Sequence, residues 1–313
     1  MKLAQLDVFL EVARTGGVRS AASQLCLSQS AVTKSLAQLE AEHGVRLFDR
    51  TGKGLLLTEA GKKLLPCAQS ILAGAERARR LLADYGERKS RELRVAVAPS
   101  VPATVIAEAL DQFRCRYEDT EITFTSGLFA DAAPLILTDK LDLSLLIVSE
   151  HTKSEVARFT LENLFTIRYG LVLRKGHPHQ EDQALGWLST ARWLSTNSRA
   201  TTDRELDDVA KLAGIERPKF VTYCDNRTAD ALLAASDAVA LAPLNSLEEK
   251  NSPLAAVSEK RLSMPPLWGA FVARRDAELT APALCLKDAL RKAVVRWIRR
   301  HPESALQAPA KSI

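Results

Sequence analysis

The stretch "ASQLCLSQSAVTKSLAQLE" occupies residues 22–40. Its small and apolar residues recur at helical spacing, break at "CLSQS", and recur again. Val18, Ala21, Ala22 and Leu25 form one very short stripe; Ala31, Val32, Leu36 and Leu39 form the next. Two short helices joined by so tight a turn make a helix-turn-helix, whose second helix fits the major groove of DNA. Ser28 is placed to cap that second helix. Gln29, Ser30, Thr33 and Lys34 fall on its solvent side. Glutamine pairs with adenine, serine and threonine serve either partner, and lysine reaches guanine or phosphate.

On the N-terminal side, Leu3, Leu6, Phe9, Leu10 and Ala13 make an earlier helix that "RTGG" ends. On the C-terminal side, "VRLFDRTGKGLLLTEAG" alternates, turns at residues 51–54 and alternates again, as a small hairpin or wing does. The wing offers Arg50 and Lys53 to phosphates or the minor groove. Residues 1–58 carry seven cations against five anions, a mild surplus. Composition alone leaves open a plain three-helix core with no DNA role.

Thr58 is a plausible cap for one long helix reaching Tyr85, with Glu59 well placed in its first turn. Leu64, Ala68, Ile71, Ala75, Ala78, Leu82 and Tyr85 step alternately by four and three, a heptad seam for a second helix. The alternative is a helix packed on its own domain. Against that, the other faces carry Lys62, Lys63, Glu76, Arg77, Arg79 and Arg80. Pro66 removes a hydrogen bond inside this helix and is expected to bend it. "GERKSRE" (86–92) reads as a hinge.

The 313 residues exceed what one core usually serves. With 46% hydrophobic and 26% charged residues, the chain has the composition of a globular protein. No apolar run approaches the roughly 18 residues of a membrane span. Asp7, Glu11 and Arg14 interrupt any signal-like stretch at the start, which points to the cytoplasm. A net charge of +5 and a pI of about 9.0 are compatible with nucleic acid.

The five cysteines, Cys26, Cys67, Cys115, Cys224 and Cys285, are widely spaced and include no CxxC. Neither a metal site nor a disulfide framework is expected; buried reduced thiols are the plain reading. "GHPHQ" (176–180) is a weak metal signal beside a solvated turn. No GxGxxG after a strand, GxxxxGK[ST] or GxSxG occurs, so no enzyme and no cofactor is expected.

Beyond residue 92 strands alternate with helices. Strands are expected at 92–98, 121–126, 141–148, 164–175, 192–196, 220–224, 238–243 and 267–275. Helices are expected at 101–117, near 130–138, and at 201–214, 227–236 and 281–300. The alternation predicts parallel sheets covered by helices, in two similar halves with a cleft between them. "HPESALQAPAKSI" reads as a frayed tail.

"AASQLCLSQSAVTKSLAQLEAEHGVRLFDRTGKGLLLTEAG" resembles the N-terminal signature of LysR-type transcriptional regulators. The matches are Ala21-Ala22, Leu25, Ser28-Gln29, Ala31-Val32-Thr33, Leu39-Glu40, Gly44, Leu47-Phe48, Arg50, Leu57-Thr58 and Ala60-Gly61. Two positions depart from the pattern. Ser30 stands where proline is commoner, leaving the helix start more adaptable; Lys34 stands where arginine is frequent, giving a point charge instead of a fork.

The resemblance implies an α/β protein with an N-terminal all-α winged helix-turn-helix, a long linker helix and a two-lobed effector domain like a periplasmic binding protein. The expected domains are 1–58 for DNA binding, 59–91 for linker, dimerisation and hinge, 92–305 for effector binding, and 306–313 as tail. Lobe I spans about 92–165 and 268–305; lobe II spans about 166–267. The cleft would take a small-molecule effector, an organic anion by the chemistry of three loops. "APSVPAT" offers Ser100, Val101 and Thr104; "TSGLFAD" offers Ser126 and Phe129; "STNSRATTD" offers Asn197, Arg199, Thr201 and Thr202. Serines and threonines before helices are also ordinary caps.

The implied partners are operator DNA, the effector, further copies of the chain as a dimer of dimers and, in activation, RNA polymerase, with no membrane. The alternative is a DNA-binding regulator whose second domain serves assembly without a ligand.

Overall fold

The structure is a computed structural model that describes residues 1–51, 54–85, 92–150, 152, 158–248, 251–275 and 277–309. The chain divides into two compact units, Met1–Ser90 with Leu137–Lys140, and Arg91–Ile136 with Leu141–Ile313.

In the first unit the helices are α1 (Leu3–Thr15), α2 (Val18–Gln24) and α3 (Gln29–His43). The wing strands β1 (Phe48–Thr51) and β2 (Gly54–Leu57) pair antiparallel, and α4 (Glu59–Tyr85) follows. Leu6, Phe9 and Val12 of α1, Ala21 and Ala22 of α2, and Val32, Leu36 and Leu39 of α3 form the core. The Phe9 ring lies 5.4 Å from that of Phe48. α3 ends at Gly44, whose φ of +65° is the left-handed conformation that glycine tolerates best. Thr58 caps α4 as expected: its Oγ1 accepts from Gly61 N at 3.1 Å and donates to Arg46 O at 2.8 Å. α4 runs through Pro66 as one helix.

The second unit holds two sheets. The first combines β3 (Glu92–Val97), β4 (Glu121–Ser126), β5 (Leu143–Val148), β6 (Phe159–Ile167), β12 (Leu267–Arg274) and β13 (Leu306–Gln307), in the order β13-β6-β12-β5-β3-β4. Its helices are α5 (Ala103–Arg114), α6 (Phe129–Leu137) and α9 (Ala281–Arg300). The second sheet combines β7 (Tyr169–Arg174), β8 (Arg192–Ser195), β9 (Phe220–Tyr223), β10 (Ala238–Pro243) and β11 (Leu254–Ala256), in the order β11-β7-β10-β8-β9. Its helices are α7 (Arg199–Ala213) and α8 (Asn226–Ala235).

Each sheet contains a parallel triplet built as strand-helix-strand-helix-strand, β5-β3-β4 in one and β10-β8-β9 in the other. The sheets are nevertheless mixed, a correction to the parallel reading. β12 joins β5 antiparallel and β7 joins β10 antiparallel, because these strands carry the chain from one sheet to the other. β11 was not anticipated; three residues are too few for periodicity to reveal.

In the second sheet, Leu171 and Leu173 of β7 pack with Leu206 and Val209 of α7, while Val172 packs with Leu233 of α8. The helices thus cover opposite faces, as alternation along a strand requires. In the first sheet, Val105, Ala109 and Phe113 of α5 and Leu286, Leu290 and Val294 of α9 share one core with Val95 and Val97 of β3.

The frayed-tail reading is overturned for residues 304–307; residues 310–313 lie outside the described residues. Leu306 pairs with Ile167 of β6 and is buried, and Ala305 fills the α8 core of the other sheet. Ser304 Oγ donates to Glu248 at 2.7 Å, and Ala305 O accepts from Arg168 N at 2.9 Å. The segment's short apolar pair sits among prolines and polar residues, which hides it from a periodicity search.

α9 is clamped to β6 by Glu162, which faces Lys287 at 2.7 Å and Arg291. Burial raises the Glu162 carboxyl, but hydrogen bonds from Lys287 and Arg291 outweigh it and hold the group below its ordinary value. A depressed folded pKa contributes stability above the unfolded value and loses it as pH falls through the folded one. Glu162→Gln is expected to lower the urea midpoint at neutral pH. It should also flatten the wild-type decline between about pH 5 and about pH 3, read by circular dichroism.

Candidate nucleic-acid interface and ligand cleft

The start of α3 is tied down by hydroxyls. Ser28 Oγ accepts from Ala31 N at 3.1 Å, and Ser30 Oγ lies 2.9 Å from Ser28 Oγ. Ser30 thus joins the hydroxyl pair at the helix start. Thr33 Oγ1 donates to Gln29 O at 2.9 Å, orienting its methyl and hydroxyl along the helix. Gln29, Ser30, Thr33 and Lys34 are all exposed, opposite the buried Val32, Leu36 and Leu39. One face of α3 is held by the core and the other presents an amide, two hydroxyls and an ammonium. Lys53 lies outside the described residues, as does the side chain of Arg50.

Behind α3, Glu40 Oε1 accepts from Leu47 N at 2.7 Å and Phe48 N at 3.3 Å. Leu47 O accepts from Thr58 N at 3.0 Å. A Cβ on Gly61 would overlap that same carbonyl oxygen, so no larger residue fits. Glu40, Leu47, Thr58 and Gly61, quoted above as signature positions, form one contiguous joint between α3, the wing and α4.

The heptad stripe of α4 divides in two. Ala68 is 0% exposed and Leu64 half-buried, both packed in the core of their own unit. Ala68 is therefore not available to a second helix, which corrects the seam at that position, and Leu64 is only partly so. Ile71 and Ala78 are exposed, Ala75 half-buried, and Leu82 is 73% exposed.

In the second unit the nine residues read as effector ligands separate. Val101 and Phe129 are buried; Val101 belongs to the α5–α9 core, and Phe129 meets Phe159 edge-on at 5.5 Å. Both therefore act in packing. Ser100, Thr104 and Ser126 lie at the carboxyl ends of β3 and β4 or in the first turn of α5.

The lobe II group is largely committed to itself. Asn197 Nδ2 donates to Glu205 Oε1 and Oε2 at 2.9 and 3.0 Å, and Tyr169 Oη donates to Glu205 Oε1 at 2.9 Å. Thr202 Oγ1 donates to Ser198 O at 2.9 Å and lies 2.7 Å from Ser195 Oγ. Ser198 Oγ accepts from Thr201 N and meets Thr201 Oγ1. Arg199 is exposed and stacks over the Tyr223 ring at 4.9 Å. The helix start is thus capped, and the anion cradle read there is already filled by protein groups. Burial first, then the Glu205 charge, pushes the Tyr169 hydroxyl well above its usual range.

Sequence reading missed this buried Glu205. It also missed Asn245, whose Nδ2 donates to Ser100 O at 2.7 Å and so ties the two sheets together. A lone polar residue just after an apolar strand was the available signal for Asn245.

The cysteines are all free thiols, but none is buried, a correction to the plain reading: Cys26, Cys67 and Cys115 are exposed and Cys224 and Cys285 half-buried. Burial, then Asp225, pushes the Cys224 thiol up, away from a reactive thiolate. His177 is buried and His179 stacks on Trp187 at 4.7 Å, so "GHPHQ" is a packed turn. Among the described residues no group of three His, Cys, Asp or Glu side chains converges as metal ligands. No described helix is long and apolar enough to cross a membrane.

This geometry defines a winged helix-turn-helix protein that also carries a two-sheet α/β unit. The description of the bacterial regulatory helix-turn-helix protein, lysR family, matches residues 3–62, and that of the LysR substrate binding domain matches residues 86–295. The chain belongs to the LysR-type transcriptional regulators. It is 28% identical over 220 residues to the uncharacterized HTH-type transcriptional regulator YeiE of Escherichia coli K12, covering 70% of this chain and 71% of that one. It is 29% identical over 181 residues to the HTH-type transcriptional regulator PcaQ of Agrobacterium fabrum, 57% of each chain. Among solved structures, CbnR, a LysR family transcriptional regulator, superposes with a TM-score of 0.59 at 20% identity, over 94% of this chain and 99% of that one. A full-length OxyR variant of Pseudomonas aeruginosa gives 0.57 at 17%, over 94% and 97%. These two share the fold.

Ser28→Ala removes the α3 cap and is expected to cost about 1 kcal/mol. The measurement is the thermal midpoint of the full chain; Ser28→Asp, which keeps an acceptor, should restore most of the loss.

Proposed function

We propose that the exposed face of α3 enters the major groove of an operator, with Gln29 and Thr33 at base edges and Ser30 and Lys34 at bases or phosphates. The observation that carries this is the opposition on α3 of a fully packed side and a bare polar side. Ser28 holds the start of that helix, and Arg50 and Lys53 of the wing add phosphate or minor-groove contacts. Dimerisation uses the exposed part of the α4 stripe, Ile71 to Leu82, and two dimers assemble on one operator.

Residues 1–58 serve DNA, 59–91 link and dimerise, and 92–305 bind a small-molecule effector between the lobes; the segment from 304 onward belongs to that effector unit. An effector that favours one arrangement of the lobes shifts the placement of the DNA-binding pairs. The protein works in the cytoplasm without enzymatic activity, and activation proceeds through contact with RNA polymerase.

The test is a mobility shift on the gene's own upstream intergenic DNA with competitor present. Wild type should bind specifically, and Gln29→Ala/Thr33→Ala/Lys34→Ala only weakly. Lys34→Ala alone should lower the salt slope of log K by about 1 if it neutralises one phosphate. Equal, non-specific binding by wild type and the triple variant overturns the reading of α3.

A further inference from the structure

We propose that Thr33 selects an A·T base pair in the operator, through contact between its γ-methyl and the 5-methyl of thymine. This deepens, and rests on, the placement of α3 in the major groove.

The hydrogen bonds at the start of α3 determine what can be read there. A threonine hydroxyl carries one donor hydrogen and two acceptor lone pairs. Thr33 Oγ1 lies 2.9 Å from Gln29 O, one turn back on the same helix. A backbone carbonyl only accepts, so Thr33 is the donor and its single hydrogen is engaged. The bond also selects one of the two side-chain settings open to threonine in a helix. With the hydroxyl turned onto the backbone, the γ-methyl is the other branch of an exposed residue. Outward, Thr33 therefore offers a methyl group and an acceptor lone pair, and no donor.

The base edges of the major groove differ in how they answer that offer. Guanine presents two acceptors, N7 and O6, and a side chain without a donor gains nothing from them. Cytosine presents an amino donor and no methyl. Only the A·T pair presents both, the amino group on adenine and the 5-methyl on thymine.

The neighbouring side chains take the other roles. The Gln29 amide has no hydrogen-bond partner among the described residues, so its oxygen and nitrogen are both free for adenine N6 and N7. Ser28 Oγ accepts from Ala31 N, and one hydrogen bond joins it to Ser30 Oγ at 2.9 Å. One hydroxyl hydrogen of that pair is left over. Donors for phosphate or guanine thus come from the serine pair and Lys34, and the methyl contact comes from Thr33.

The full chain selects duplexes from a random-sequence pool, and the enriched site serves as the probe. Each thymine in it is replaced singly by deoxyuridine, which removes the 5-methyl and leaves every hydrogen-bonding group in place. At one position wild type should lose about fourfold in affinity, the worth of one buried methyl group. Thr33→Ser keeps the hydroxyl and lacks the methyl. It should bind the thymine site about fourfold more weakly than wild type and lose nothing more with deoxyuridine at that position. The thermal midpoint reports whether the variant is folded; Thr33→Ala, which also lacks the γ-methyl, gives the same comparison if Thr33→Ser is not.

A wild type indifferent to deoxyuridine at every thymine overturns the proposal, as does an enriched site with no A·T pair. So does a penalty that Thr33→Ser leaves intact, which assigns the contact to another methyl, such as that of Ala37, exposed one turn further on. These outcomes leave α3 in the groove. That placement falls, and the proposal with it, if the pool enriches no site or if Gln29→Ala/Thr33→Ala/Lys34→Ala binds the enriched site as tightly as wild type.

Discussion

The backbone of Leu47 is the point on which the DNA-binding unit depends. Its N–H is held by the Glu40 carboxylate at the end of α3, and its carbonyl accepts from Thr58 where α4 begins. Gly61 comes so close to that carbonyl that a methyl group could not be inserted. α3, the wing and α4 therefore meet at one residue. A tilt of α4 cannot be absorbed there by a yielding loop, because the backbone is gripped from both sides. Such a joint suits a protein in which a change in one part must reorient another as a rigid piece.

The α/β unit obeys a different constraint. Each sheet repeats one parallel triplet, and an antiparallel strand brings the chain across beside it. That arrangement sets the carboxyl ends of both triplets near the crossing. The Asn245 to Ser100 bond and the junction of β6 and β7 at Arg168 mark the same region. Polar groups collect there because strand ends leave backbone and side chains without a sheet to bury them.

Much of this was legible in the sequence because the deciding signals are local. Ser28, Thr58 and Gly44 occupy cap positions that short-range chemistry requires, and the three-and-four spacing of α1 and α3 matches their buried faces. The misreadings share one cause, that pattern does not say what a residue packs against. Leu64 and Ala68 have the same period as Ile71 and Leu82, yet the first two belong to an intramolecular core. Val101 in its loop and Phe129 at the start of α6 stand next to polar residues, and their side chains turn inward. Asn197 and Thr202 have the chemistry of anion ligands, but Glu205 and Ser198, close along the same helix, already use it. Asn245 and the Ala305-Leu306 pair depend on partners more than fifty residues away, which no window can sense.

The docking of Ala305 and Leu306 also orders events during synthesis. These residues leave the ribosome after every other part of the two cores they complete, so the sheet packed by α8 stays short of a wall until they emerge. The winged unit has all its core residues within the first third of the chain and can close long before. A nascent chain therefore passes through a stage at which its nucleic-acid-reading half is finished and its ligand-reading half is not.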